Sequence, residues 1–172
     1  EPSYDDFPYP GYAFAATHPD QLAAVAHLHG LDAPELAGAR VLEIGCGPGA
    51  AAELICARLD TGKLFAIDRS ESGVDRTKRR NAAHLESGRL TVRQIDLATL
   101  RVPVKRLHKV FAFNVNLFWV RDCADEVALL HERVLPGGAV YLFYEVARPE
   151  EVPRILEQAS AALSGGGFRV SV

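Results

Sequence analysis

From Arg40 onward, short apolar runs alternate with stretches whose apolar residues recur every three or four positions. This alternation is what strand-helix crossover units produce. The runs predict strands at residues 41–44, 63–67, 90–95, 109–113 and 139–144, with a further one at 168–172. The periodic stretches predict helices near 50–59, 72–87, 122–135 and 149–163. Gly62, Gly88 and the Pro136, Gly137, Gly138 turn stand where those helices should stop, since glycine accepts the left-handed backbone of a helix end and proline cannot extend a helix. The expected fold is α/β: a doubly wound, mainly parallel sheet with helices on both faces.

The start of the chain has a different texture. EPSYDDFPYPGYAFAATHP is dense in Pro, Gly, Tyr and Phe and has neither a strand nor a helix period, so it reads as an irregular arm. Thr17 and Asp20 then resemble a capping pair, and Leu22, Val25 and Ala26 share one helical face up to Gly30. Residues 1–36 are therefore expected to form an aromatic arm and helix that act as a lid, and residues 37–172 the core.

At 172 residues and 48% hydrophobic, the chain supports one sizeable core. Acidic residues exceed basic ones by 22 to 19, which gives nucleic acid or an anionic membrane no electrostatic hold and leaves a small molecule or a protein as the expected partner. Cys46, Cys56 and Cys123 form neither a paired framework nor a zinc-type spacing. No apolar run approaches the ~20 residues of a membrane helix and no secretory pattern is visible, so a cytoplasmic location is expected. The sequence has no methionine and begins at Glu1, so its natural start is expected upstream. His27, His29, His84, His108 and His131 make no metal-ligand pattern; no metal is expected.

Candidate chemistry concentrates at VLEIGCGPG, residues 41–49, where a β-branched strand runs into three glycines and then a helix. Glycine permits tight backbone angles there and lets a ligand touch the main chain without a Cβ in the way, while the helix start offers unpaired N–H groups. GCGPGA also fits the dinucleotide pattern GxGxxA. Glu43, two residues before the first glycine, and the Gly-x-Gly-x-Gly spacing separate the readings. With Asp68 closing LFAID, Asp96 closing TVRQID, then KVFAFNVNLFW and LPGGAVYLFYE in order, the chain resembles the class I S-adenosylmethionine-dependent methyltransferases. Their fold is Rossmann-like.

That resemblance implies S-adenosylmethionine as cofactor and a site at the carboxyl ends of the strands. Gly45, Cys46 and Gly47 would floor the methionine part and ribose. Asp68 would accept from the ribose hydroxyls, and Asp96 from the adenine amine, with the Leu97 N–H available to a ring nitrogen. Arg69 would lie along the adenine, Glu43 would orient the loop or reach the methionine amino group through water, and Asn114 would contact the methionine part or the acceptor. The competing reading makes Asp68 and Asp96 helix caps; the Cys46 side chain is expected to be a packing residue rather than a nucleophile.

The acceptor is less legible. Asn114, Glu145, Tyr12 and His18 are the catalytic candidates, chosen because Asn114 and Glu145 follow strands that should end at the pocket and the aromatic arm should fold over it. NVNLFW lacks the two prolines of amino-group methyltransferases that flip a base, which excludes a DNA adenine acceptor. Phe118 and Trp119 are expected in the core rather than on a pocket wall. The opening, SYDDFPYPGYAFAATHPDQLAAVAHLHGL, is similar to bacterial methyltransferases that carry a downstream regulatory domain, some of which modify protein lysines. A small-molecule acceptor is the expectation; protein lysine methylation and a non-enzymatic donor-binding module are the alternatives. Nicotinamide chemistry is disfavoured because no Tyr/Lys or His/Asp catalytic pattern accompanies the loop. The sequence ends at FRVSV; either the fold's usual final strand lies beyond it or the sheet is shortened, and a shortened sheet would leave an open edge and with it an expected homodimer.

Overall fold

Alternation along the first strand decides which side chains meet. In Arg40–Ile44, Val41 turns to one core with Ala52, Ile55, Cys56, Leu59 and Val74, while Leu42 and Ile44 turn to another with Phe118, Val127, Leu130, Ala159 and Leu163. The two cores exist because successive strand residues face opposite sides of a sheet. The computed structural model describes residues 36–99, 106–146 and 148–172. Its strands are β1 Arg40–Ile44, β2 Lys63–Asp68, β3 Leu90–Gln94, β4 Leu107–Phe113 and β5 Val134–Phe143. They lie in the order β3-β2-β1-β4-β5, every pair parallel.

The helices are α1 Ala50–Cys56, α2 Glu71–Arg80, α3 Ala82–Glu86, α4 Leu117–Val120, α5 Ala124–Arg133 and α6 Val152–Gly165. Ala52, Ile55, Cys56 and Val74 of α1 and α2 belong to one core, and Phe118, Val127, Leu130, Ala159 and Leu163 of α4, α5 and α6 to the other, so the sheet is covered on both faces as expected. The chain runs outward from β1 to β3, then resumes on the other side of β1 with β4. Its direction of winding therefore reverses between β1 and β4, and the carboxyl ends of those two strands open the crevice where ligands of such sheets bind. Leu42, Leu64 and Leu130 are essentially inaccessible; each such side chain contributes on the order of 1.5–3 kcal/mol by leaving water.

Three sequence expectations need correction. Residues 168–172 are not a strand: Gly167, at φ 94°, turns the chain back, and the Phe168 ring meets His131 edge-on at 5.1 Å. Burial against the helix layer replaces pairing at the sheet edge. The helix expected over 72–87 is two, α2 and α3, broken at Asn81, whose side chain bonds outside the helix. The strand expected at 139–144 is assigned from Val134, with Pro136 to Gly138 inside an irregularity that pairs Leu107 with Val134 and Lys109 with Ala139. No helix among the described residues is long and apolar enough to cross a membrane.

Candidate active site

The glycine loop begins where β1 stops. Gly45, Gly47 and Gly49 all take positive φ, 73°, 48° and 75°, which L side chains rarely adopt. The loop folds over the end of β2: the Gly45 and Cys46 N–H groups both donate to Ile67 O, at 2.8 and 3.1 Å. At Gly45 a Cβ would stand 2.7 Å from Val115 Cγ2, so this glycine is also demanded by the segment after β4. At Gly47 the nearest heavy atom to a Cβ position is Gly45 O at 4.0 Å. The loop thus keeps bare backbone beside open space there.

Asp68, the last residue of β2, ties this loop to the next helix. Its Oδ2 accepts from Gly47 N at 2.8 Å and its Oδ1 from Ser70 N at 2.9 Å. Ser70 in turn caps α2, accepting from Gly73 N at 3.3 Å. A carboxylate has about four acceptor sites, so two backbone donors leave capacity on both oxygens. The expected loop residues Gly45, Cys46 and Gly47 and the carboxylate of Asp68 are therefore brought together.

The sequence reading did not single out what holds the loop from below. Thr77 Oγ1 donates to Gly47 O at 3.0 Å, and Asn81 Nδ2 donates to Gly49 O and Thr77 O, each at 3.0 Å. Both side chains are fully buried. They follow Gly73 at steps of four, one buried polar stripe within an otherwise basic helix. That spacing was the available signal.

Glu43 lies beneath the same loop, 3% exposed, and its Oε2 has no hydrogen-bond partner. Burial, reinforced by the neighbouring charge of Asp68, pushes its carboxyl up to about 8, so at neutral pH it is predominantly the neutral acid. The Cys46 thiol, also buried, is pushed well above its ordinary range by burial and then by Glu43, which makes it a packing residue and not a thiolate nucleophile.

Asp96 follows β3, exposed, and its Oδ1 accepts from Ala98 N at 3.1 Å, capping the 3-10 turn Leu97–Thr99. Leu97 is buried in the core. Arg69 is exposed and its carbonyl accepts from Gln94 Nε2 at 3.1 Å. Asp68, Arg69, Asp96 and Leu97 thus line up along the carboxyl ends of β2 and β3, next to the glycine loop on β1.

Beyond β4 the sheet ends in a second feature. Asn114 has φ 53°; its N–H donates to Phe143 O, and its Oδ1 accepts from Glu145 N at 2.7 Å. Tyr144 donates its hydroxyl to Val115 O at 3.2 Å, and burial raises its pKa. These residues, with Asn116, Trp119, Glu151 and others, line a cleft of about 240 Å³. Val115 connects the cleft wall to Gly45. Trp119 is therefore a wall residue, contrary to the expectation that it is core, whereas Phe118 is core at 1% exposure. Tyr12 and His18 lie outside the described residues.

A parallel sheet in this order, with a glycine loop after β1 and acidic residues after β2 and β3, is the Rossmann-like fold of class I methyltransferases. Residues 41–138 match the family described as "Methyltransferase domain", and the chain belongs to that family. An uncharacterised protein of Rickettsia prowazekii is 24% identical over 83% of this chain and 57% of its own length. A trans-aconitate 2-methyltransferase of Variovorax paradoxus is 29% identical over 72% of this chain and 45% of its own. The chain thus spans about half the length of these relatives. Among solved structures, PKMT2 from Rickettsia typhi in complex with AdoHcy superposes with a TM-score of 0.62 at 22% identity, covering 77% of this chain and 26% of that one. The likeness is one of fold.

Proposed function

We propose that this chain is an S-adenosylmethionine-dependent methyltransferase acting on a small-molecule acceptor in the cytoplasm. The observation that carries the reading is the carboxylate of Asp68 fastened to Gly47 N at the edge of a loop with three positive-φ glycines. This cradle suits an adenosyl ligand: Asp68 retains acceptor capacity for ribose hydroxyls, Gly45 to Gly47 offer bare backbone, and Asp96, Leu97 and Arg69 flank the adenine side. Bound there, S-adenosylmethionine supplies an electrophilic methyl group on a sulfonium for in-line displacement. The chain's own task is alignment and exclusion of water, which contributes several kcal/mol without a protein nucleophile.

The cleft beside Gly45 is the acceptor site in this reading. Asn114 spans both regions, since its backbone and side chain fix Phe143 and Glu145 while Val115 abuts the loop. Glu145 is the candidate base for an acceptor that must lose a proton. A lid role for residues 1–36, of which only Leu36 is among the described residues, is tested by deleting residues 1–16, which is expected to lower turnover; unchanged donor affinity and turnover would remove this role. Among the described residues β5 pairs on one side only, with β4, and its other edge is assigned to a homodimer, which sedimentation checks.

Two comparisons test the function. Calorimetric titration with S-adenosylmethionine, S-adenosylhomocysteine and NAD should give heat with the first two only. Radiolabelled donor incubated with fractionated cell extract should then label a small-molecule fraction. Label confined to protein would favour the lysine alternative, and binding without any transfer would leave a donor-binding module.

A further inference from the structure

The cleft beyond β4 offers many hydrogen-bond acceptors and no cation among the described residues that line it. Two carboxylates line it, Glu145 after β5 and Glu151 in the turn before α6. The Glu145 side chain is exposed and has no hydrogen-bond or ion-pair partner among the described residues, since the bond to Asn114 uses only its backbone N–H. Glu151 has Arg148 at a loose 3.6 Å, with that arginine mostly in solvent. Arg154 is held outside the lining: its guanidinium lies 5.0 Å over the Trp119 ring, and its Nη1 donates to Gln158 Oε1 at 3.2 Å. Tyr144 forms wall and not base, because its hydroxyl donates to Val115 O and burial keeps it protonated.

We propose that the methyl acceptor is a small amine that enters as its ammonium ion, with the ammonium directed to Glu145 and Glu151 and the apolar body laid against Trp119, Tyr144 and Ile155. The proposal rests on the methyltransferase reading above, with this cleft as the acceptor site. An ionised carboxylate only accepts hydrogen bonds, at about four lone-pair sites, so two of them call for a ligand rich in donors. An ammonium brings several donors and a positive charge, whereas a hydroxyl brings one donor and no charge. A polycarboxylate acceptor would meet two like charges with no counter-ion in the lining. The aromatic wall agrees with a cation, since the Trp119 ring already carries a guanidinium on its face. At about 240 Å³ the cleft is smaller than the ~300–1,000 Å³ of drug-sized sites, which suits a one-ring or short-chain amine.

The step balances with these groups alone. The ammonium gives one proton to Glu145 and becomes a neutral amine. Its nitrogen then takes the methyl group, forming the N–C bond with its lone pair while the electron pair of the broken S–C bond stays on sulfur as a thioether. The methylated nitrogen carries the positive charge away, and the proton on Glu145 passes to solvent. Glu151 stays ionised throughout and holds a second N–H of the acceptor.

Incubating the wild-type chain with carbon-13-methyl S-adenosylmethionine and fractionated cell extract tests this without choosing an acceptor beforehand. The labelled small molecule should be retained by a cation exchanger at neutral pH, show the carbon shift of an N-methyl group and survive mild alkali. A product retained by an anion exchanger, a methyl group carried on oxygen or sulfur, or label confined to protein would overturn the inference while leaving methyl transfer intact. Charge-matched probes give a second reading on the protein saturated with S-adenosylhomocysteine. Phenethylamine should bind about tenfold more tightly than hydrocinnamate, with phenethyl alcohol between them. Glu145→Gln combined with Glu151→Gln should level the three, with S-adenosylhomocysteine affinity retained as the sign of an intact fold. Phenethylamine bound no more tightly than hydrocinnamate, or a preference that survives both substitutions, would overturn the inference. No binding of S-adenosylhomocysteine and no labelled product would overturn the methyltransferase reading itself.

Discussion

The two ends of the crevice are built differently. On the side of β1 and β2, each element of the glycine loop is held by something specific: Ile67 O takes two loop N–H groups, Asp68 takes a third, and the buried Thr77 and Asn81 take the carbonyls. On the side of β4 and β5, Phe111 is buried but the Phe113, Tyr141, Phe143 and Tyr144 side chains are only half-buried. Phe113 stacks on Phe143 at 4.6 Å, and the cleft itself is walled by exposed Glu145 and partly exposed Tyr144 and Trp119. A fully bonded loop is pre-shaped for one ligand, because its groups need no reordering on binding. A half-buried wall accepts substitution more readily, and so suits the part of a site that varies with the acceptor. On the proposed reading, the donor is recognised by the bonded loop and the acceptor by the surface of the cleft.

Gly49→Ala should separate the two ends most sharply. A Cβ there would sit 2.7 Å from both Thr77 Cα and Asn81 Nδ2, on a backbone at φ 75°. Left-handed strain plus overpacking is expected to cost about 2–5 kcal/mol, read as a lower midpoint in chemical denaturation, with donor binding lost in parallel. An equal loss from Gly137→Ala, whose Cβ would meet nothing within 4 Å, would mean that positive φ alone and not the loop's packing sets the cost.

Glu43 gives the next effect, through pH. Its carboxyl is raised from 4.5 to about 8 in the fold, so between those values the folded chain keeps a proton that the unfolded chain has lost. Stability therefore falls as pH rises through this window, by about 1.4 kcal/mol per unit for this group, and the decline ends above the folded value. Denaturant midpoints for Glu43→Gln should lose that slope and exceed wild type near pH 7.5. A wild type that gains stability from pH 5 to 8 relative to the variant would reverse the assignment of a neutral acid.

The smallest expected change lies at the other end. Glu145→Gln removes an exposed carboxylate whose backbone N–H, and not its side chain, is bonded to Asn114. Stability and donor affinity should both stay within about twofold in their equilibrium constants, while turnover falls if Glu145 takes a proton from the acceptor. A large loss of donor affinity would show that the two ends are not separable.

Much of the glycine-loop end was legible in the sequence because its chemistry is local. The strand, glycines and helix of residues 41–56 follow one another along the chain, and Asp68 and Asp96 stand at strand ends that apolar patterning marks. What was missed there is contributed by residues about thirty positions away: Thr77 and Asn81 look like ordinary surface-helix residues until packing turns them inward. The break at Asn81 had no local cue for the same reason, since a long-range bond to Gly49 competes with helix continuation. At 168–172, alternation suggested a strand, but Phe168 found burial against His131 instead; tertiary packing outweighed a weak local preference. The cleft was half visible. Asn114 and Glu145 follow their strands in sequence, whereas Glu151 and Ile155 reach the cleft only because α6 folds back over α4.

The account stands most directly on Asp68. Calorimetry of S-adenosylmethionine with the wild type and with Asp68→Ala should give measurable binding to the first and an affinity reduced about a hundredfold in the second, the loss expected for two hydrogen bonds to a charged acceptor. Equal affinity in the two proteins, with both folded by circular dichroism, would contradict it.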